Sequence, residues 1–355
     1  MNSIHKERFE LCMKHQESDR PPSDLYLDNN DPIVHEQVLK YFSMKHYMEL
    51  MDYLEIDIFK VGPKVSKRHQ TRQPGISRFF LPVTDERYLT FNTDSVPRPL
   101  ANVEDPAELD NFEWPSANDL FDYSEIGDII ETQKHRPIWT GGGAFTSFFC
   151  KMCDLCGIEK VLMDLIINPP LVEAMIGKIL AFYKESFTCS MEASKGRVLA
   201  FGMGDDFATQ ESLMFSRDIW VKYFKGPTKE LCDLIKSYGL YVSYHSCGAV
   251  SEMIPDFAEA GIDILNPIQP KARGMDAESL KSGYGNEMVF HGGIDIQDIL
   301  PYGSEQEVRD EVDRVCSILG KDGGFIFTSG HGILRDVPPR NVHAMYDQFN
   351  RRARK

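Results

Sequence analysis

Short apolar runs alternate along the chain with longer stretches of helical period, the pattern of repeated βα units and a parallel sheet. Eight runs predict strands at residues 24–27, 56–61, 137–140, 198–203, 240–244, 262–265, 288–291 and 324–328. The first is the weakest, and most are followed by a Gly, Asp or Asn and then by an amphipathic stretch. Eight such units close naturally into a (β/α)8 barrel of the TIM type. Helix ends are marked in places. Ser216 is placed as an N-cap, Gly239 as the glycine ending a helix over 229–238, and Pro338-Pro339 as the opening of a final helix through Met345 and Phe349.

One stretch breaks the rhythm. Residues 64–106 are rich in Thr, Arg, Phe and Pro without a helical period. Within them 79–83 and 88–91 read as a β-hairpin around Thr84-Asp85-Glu86-Arg87, an insertion after the second strand that covers one rim of the barrel. No repeat, low-complexity tract or linker divides the chain, so residues 1–355 read as one barrel domain.

Composition narrows the class of partner. The formal net charge of −15 argues against nucleic acid and anionic membrane surfaces. No run approaches the ~18 apolar residues of a spanning helix. The polar start Met1-Asn2-Ser3-Ile4-His5-Lys6 reads as a helix start, not a signal peptide. Eight cysteines without small-domain spacing imply free thiols and a cytoplasmic setting. Three of them, Cys150, Cys153 and Cys156, have a C-x2-C-x2-C spacing that invites an iron–sulfur reading. The helical pattern around them and the lack of a nearby fourth thiol favour small core residues instead.

Candidate chemistry gathers where the strands end, since a barrel of this kind builds its site at the C-terminal ends of its strands. Those ends carry Asp28, Lys60, Gly141-Gly142-Gly143, Asp205-Asp206 with Gln210, His245 with Cys247, Asn266 with Gln269, His291 with Asp295, and His331. Residues at i and i+2 of a strand share a face, so the imidazole of His245 and the thiol of Cys247 aim at one point, and such a pair is a good zinc ligand set. His331 is a third candidate ligand if its strand end lies on the same side. The structural alternative is a histidine bonded to a carbonyl and an inert core thiol. Asp205 and Asp206 are adjacent, so one of them faces the cavity. The glycine run at 141–143 lacks the Lys-Ser/Thr ending of a phosphate loop and reads as a close approach, either of a planar ligand or of another backbone.

Four segments carry a family resemblance: Gly204-Asp205-Asp206-Phe207-Ala208-Thr209-Gln210, Tyr244-His245-Ser246-Cys247-Gly248, Asp263-Ile264-Leu265-Asn266-Pro267-Ile268-Gln269-Pro270 and Phe290-His291-Gly292-Gly293-Ile294-Asp295. With these the chain resembles the uroporphyrinogen decarboxylase superfamily, which includes the decarboxylase and the cobamide-dependent methyltransferases. The resemblance implies a distorted (β/α)8 barrel. The decarboxylases carry an Arg-Gln-Ala-Gly-Arg segment after the first strand; here the region reads Leu25-Tyr26-Leu27-Asp28-Asn29-Asn30-Asp31, without arginine. The methyltransferase branch holds zinc through His-x-Cys and a later Cys. His245 and Cys247 match, and the later position falls near Gly330-His331-Gly332, where a histidine stands.

The resemblance therefore implies a methyltransferase that moves a methyl group between a small methylated substrate or a thiol and a corrinoid protein. Zinc would be held by His245, Cys247 and His331. Asp205, Asp206, Gln210, His291 and Asp295 are its catalytic candidates, and Gly141, Gly142, Asn266 and Gln269 its candidates for cofactor contact. Barrels of this family often pair, which suggests a homodimer. The alternative is a metal-free decarboxylase or lyase with Asp205 or Asp206 as acid/base, and a third reading is a corrinoid or tetrapyrrole binder without catalysis.

Overall fold

The computed structural model describes residues 3–28, 31–69, 80 and 98–353. Seven strands form one parallel sheet in sequential order: β1 (Phe59–Lys60), β2 (Ile138–Gly141), β3 (Ala200–Gly204), β4 (Tyr241–His245), β5 (Ile264–Ile268), β6 (Val289–Ile294) and β7 (Phe325–Ser329). Each falls within or beside an apolar run that predicts it. β1 keeps only two residues of its run, and β3 to β6 run on towards their C-terminal ends, carrying ladder pairing into the polar residues that follow.

The eighth predicted strand, at 24–27, is present as single bridges. Ser23 bridges Phe327 and Leu27 bridges Ile333, both parallel. On its other side the Ser23 carbonyl accepts from the backbone N–H groups of Asp57 and Ile58. This segment thus joins the two edges of the sheet and curls it shut. Pro21 and Pro22 precede it and have no N–H to give to a ladder, which fits its reduction to isolated bridges.

Side chains alternate along each strand, and one set points to the barrel axis. Ile58, Trp139, Ala200, Ile264, Val289 and Ile326 form that inner apolar layer with Phe9 of the helix Ile4–Met13. The Phe9 ring meets Trp139 and Tyr241 edge-on, each at 6.0 Å between centroids. Helices wrap the outside; the longest, Pro169–Ser194, packs along β2. No single helix among the described residues is long and apolar enough to cross a membrane. The hairpin expected at 79–83 and 88–91 lies outside the described residues except for Phe80, which is buried against Phe182. Beside that stretch Lys64–Val65 pairs antiparallel with Phe121–Asp122.

A buried ion network ties the N-terminal helix to the barrel. Asp57, fully buried before β1, accepts from Arg20 Nη1 at 2.6 Å, Arg8 Nη1 at 3.0 Å and the Ser23 N–H at 2.9 Å, and pairs with His5 Nδ1 at 2.7 Å. Burial alone would raise this carboxyl, but His5, Arg20 and Arg8 together bring it down to about 2. A carboxyl lowered in the folded state stabilises the fold above its unfolded value near ~4, and that contribution is lost as pH falls through the folded value. Removing one partner of such a group leaves Arg20 without its counter-charge. Asp57→Asn is expected to lower the unfolding free energy at neutral pH by about 3–5 kcal/mol in urea denaturation. The wild type should lose this advantage over the variant as pH falls from about 4 to about 2. A difference below about 1 kcal/mol at neutral pH would contradict the network's role.

Candidate metal centre

β4 ends at His245, and Cys247 follows two residues on, so both side chains leave the strand toward the axis. The chain then turns at Gly248, whose φ of +88° favours glycine. A Cβ there would stand 2.5 Å from the Thr209 carbonyl oxygen, and a Cβ on Gly204 of β3 would stand 2.3 Å from that of His245. These two glycines let the loop after β3 and the end of β4 approach closely enough to present the pair.

His245 Nδ1 lies 2.9 Å from Asn266 Oδ1 on the neighbouring strand β5. The Asn266 amide Nδ2 donates to the His291 carbonyl at 3.2 Å, which sets the amide's orientation. Oδ1 is therefore the acceptor and Nδ1 carries the proton. That leaves the Nε2 lone pair free, 3.3 Å from Cys247 Sγ. His331, in the loop after β7, completes the group. The ligating atoms of His245, Cys247 and His331 all lie within 4.8 Å of one another, and all three residues are half-buried.

The electrostatics suit a cation. Burial, with His245 nearby, pushes the His331 imidazole down to about 4, so it is neutral and has a lone pair to give at ordinary pH. Burial and the Asp206 carboxylate push the Cys247 thiol up. A dication at the cluster is the kind of charge that makes such a thiol a thiolate ligand. Two imidazoles and one thiol are a zinc donor set of the open, three-protein-ligand kind.

The two acids after β3 diverge, as adjacent residues of an extended segment do. Asp205 turns away and caps the helix Phe149–Cys156, accepting from the N–H groups of Phe148, Phe149 and Cys150 at 2.9, 2.6 and 3.0 Å. Burial raises its carboxyl to about 6 against those three donors. Asp206 turns inward. Its Oδ1 accepts the Cys247 N–H at 2.8 Å and lies 3.9 Å from His245 Nε2. Of the two candidates, Asp205 is engaged in the helix cap and Asp206 stands beside the cluster.

The remaining candidates take three kinds of place. Gln210 Nε2 donates to Gln269 Oε1 at 3.0 Å, and the same oxygen accepts the Gly248 N–H at 2.9 Å, so the pair braces the turn behind Cys247. Asp295 Oδ1 accepts the Gln297 N–H at 2.8 Å and holds its own turn. The Gly141 and Gly142 carbonyls accept from Ser190 and Ser186 of the helix Pro169–Ser194 at 2.9 and 2.6 Å. A Cβ on Gly142 would meet Phe187 and Ser186 at 3.1 Å. The glycine run thus seats a helix. A Cβ on Gly141 would stand 3.4 Å from the backbone oxygen of Gly202 on β3, so the close approaches at Gly141 and Gly142 are to a neighbouring strand and to side chains of that helix.

His291 is buried on the barrel axis, its Nε2 3.1 Å from Asp24 Oδ2. Asp24 also pairs with Lys60. Burial would raise the Asp24 carboxyl, but Lys60 and His291 hold it well below the usual carboxylate range. Sequence reasoning missed Asp24, Tyr26 and Phe145. The Tyr26 ring is 5.6 Å from that of His331, and Phe145 meets His245 edge-on at 5.6 Å. For the first two the signal was available: Asp24, Tyr26 and Asp28 alternate along the first strand.

The uroporphyrinogen decarboxylase (URO-D) family model matches residues 88–352. Curated relatives are distant. A uroporphyrinogen decarboxylase of Wigglesworthia glossinidia brevipalpis is 26% identical over 104 residues, 29% of this chain and 27% of that protein. One of Chlorobium phaeovibrioides is 22% identical over 183 residues, 51% of this chain and 49% of that protein. The chain therefore spans about half the length of these relatives at most. Among solved structures, a methyltransferase from Methanosarcina mazei aligns over 98% of both chains with a TM-score of 0.62 at 17% identity, a likeness of fold.

The hydrogen bond from His245 predicts a measurable effect on metal. Asn266→Ala frees the imidazole to rotate or change tautomer, and zinc affinity should fall by about 10–100-fold. Competition with a chromophoric chelator reads this directly. An unchanged affinity would show that Asn266 does not set the ligand.

Proposed function

The chain belongs to the uroporphyrinogen decarboxylase family, and we propose that within it this protein is a zinc-dependent methyltransferase. It moves a methyl group between a small methylated compound or thiol and the corrinoid of a separate protein. The observation that carries this reading is the convergence of His245 and Cys247, at the end of β4, with His331, in the loop after β7, to within 4.8 Å. The first-strand region offers no arginine to a polycarboxylate, and its inward acid Asp24 is taken up by Lys60 and His291.

Zinc held by these three residues would act as a Lewis acid on the substrate's heteroatom at the fourth position. The protein's own groups do the rest. Methyl transfer breaks the carbon–heteroatom bond, forms the carbon–cobalt bond, and gives the heteroatom one proton; in the reverse direction a thiol loses that proton. Asp206 is 3.9 Å from His245 Nε2 and anchored by the Cys247 N–H, which suits it to hold the proton in either direction. Gln210 and Gln269 fix the turn that carries Cys247. Phe145, 42% exposed over His245, and Leu334 in the loop after β7 give the mouth an apolar edge for a corrinoid-bearing partner.

The test is methyl transfer to cob(I)alamin, or from methylcobalamin, by zinc-loaded protein with a panel of methyl ethers, methylamines and thiols, followed by the corrinoid's visible spectrum. Turnover with at least one substrate is expected. His245→Ala should abolish it, and Asp206→Asn should lower kcat by about 100-fold or more with a small change in KM. Absence of turnover with every substrate, or equal turnover by His245→Ala, would overturn the reading.

A further inference from the structure

Glycine in the middle of a strand weakens it, and it marks a place where another backbone or a ligand comes close. Small residues stand in a row on the axis face of β1 to β4. Gly141, Gly202 and Ser243 pair directly across β2, β3 and β4. Gly62 lies two residues beyond Lys60, as Gly141 lies two beyond Trp139, the register partner of Lys60. Strand alternation fixes the face, because Trp139 and Ala200, two residues earlier on β2 and β3, belong to the inner apolar layer. His245 is two residues beyond Ser243, so the row runs directly beneath a candidate metal ligand.

For two glycines a neighbouring backbone accounts for the missing side chain. A Cβ on Gly204 would stand 2.3 Å from the His245 carbonyl oxygen, and one on Gly141 3.4 Å from that of Gly202. Gly202 and Gly62 have no such neighbour. Among the described residues, a Cβ on Gly202 would meet only the Thr140 carbonyl oxygen, at 3.7 Å, and one on Gly62 would meet nothing within 4 Å. Gly202 is half-buried although it sits mid-strand between two paired strands, and its flanking residues Phe201 and Met203 are buried. Its exposed surface therefore opens on the axis, and no side chain from the far wall fills the space. Two polar atoms in this hollow are unengaged. Ser243 is 6% exposed, and its hydroxyl has no hydrogen-bond partner among the described residues. Trp139 Nε1, just below Gly141, is buried without one. Buried polar atoms are rarely left so. Aromatic rings stand at the edges: Trp139 below, Phe145 against His245, and Tyr26 between Lys60 and His331. Lys60 is paired with Asp24, so the hollow suits an uncharged occupant.

We propose that this row of glycines is one wall of a slot for a flat, uncharged ring, so that the methyl donor is an aromatic methyl ether and Gly202 is the position that decides ring specificity. Bare strand backbone is flat over a span that side chains would otherwise break up, and it lets a ring approach face-on. Mostly apolar walls with a few placed polar groups are the usual make-up of a small-molecule site. A ring seated on Gly202 carries its methoxy oxygen toward His245. A second ring oxygen reaches Ser243, whose hydroxyl can both donate and accept. The inference rests on the methyl-transfer reading for what happens at the methoxy group, but not for the seating of the ring.

Calorimetric titration of the full chain, metal-free and zinc-loaded, tests the slot with three uncharged probes, 2-methoxyphenol, methoxybenzene and 2-methoxyethanol. Both aryl ethers should bind about tenfold tighter than 2-methoxyethanol. Gly202→Val puts a branched side chain into the space and should erase that preference, whereas a merely hydrophobic attraction would survive it. The backbone at Gly202 lies outside the left-handed region and valine suits a strand, so the variant should fold. Ser243→Ala is the second, independent variant. It should weaken 2-methoxyphenol about fivefold and leave methoxybenzene unchanged. No aryl preference, or one that survives Gly202→Val, would overturn the slot, and so would an equal effect of Ser243→Ala on both aryl probes. Methyl transfer without aryl preference would remove the slot alone. Aryl preference lost in Gly202→Val, without methyl transfer, would remove the assigned reaction and keep the slot.

Discussion

The hydrogen bond between His245 and Asn266 joins two neighbouring strands and decides which ring nitrogen faces the barrel mouth. Everything proposed for the site follows from that orientation. With Nδ1 engaged, Nε2 points toward Cys247, and the loop after β7 brings His331 to the same spot. The bond depends in turn on the parallel register that sets His245 opposite Asn266, and on two glycines that let the flanking backbone close in. The ring of strands is held by the short first segment, which hydrogen-bonds both edges of the sheet, and by Asp57 beneath it.

Inside this ring polarity changes along the axis. Phe9, Ile58, Ala200, Ile264, Val289 and Ile326 fill the end where the strands begin. Lys60, Asp24 and His291 follow as a linked polar group, and the candidate metal ligands with Asp206 stand at the open end. A barrel core filled near its base and functional near its mouth is the general plan of the fold. In this chain a histidine stands at 331, and the first strand places Asp24, Tyr26 and Asp28 along the axis with no arginine among them. On the proposed reading, a nitrogen ligand in place of a thiolate would leave a bound metal more positive, which would suit the activation of ether or amine leaving groups as well as thiols.

Much of this was legible in the residue pattern, because strand positions follow from apolar runs and site residues from what comes immediately after them. The i, i+2 spacing of His245 and Cys247 placed both on one face, and the divergence of Asp205 from Asp206 follows from the same alternation. The glycines at 141 and 142 were harder to read, because a glycine records only that something comes close; here the helix carrying Ser186, Phe187 and Ser190 does. Asp295 carries a turn for a similar reason: an acid after a strand is as well suited to capping as to chemistry. Asp24 was passed over because its partners Lys60 and His291 are 36 and 267 residues away in sequence, and only closure of the ring brings them together.

The central claim is that one cation sits between two imidazoles and one thiolate at the barrel mouth. X-ray absorption at the zinc edge of zinc-loaded protein tests it most directly. The account predicts a single sulfur scatterer at about 2.3 Å with nitrogen scatterers at about 2.0–2.1 Å, the sulfur disappearing in Cys247→Ser. A zinc shell without sulfur in the unmodified protein, or failure to retain zinc at all, would contradict it.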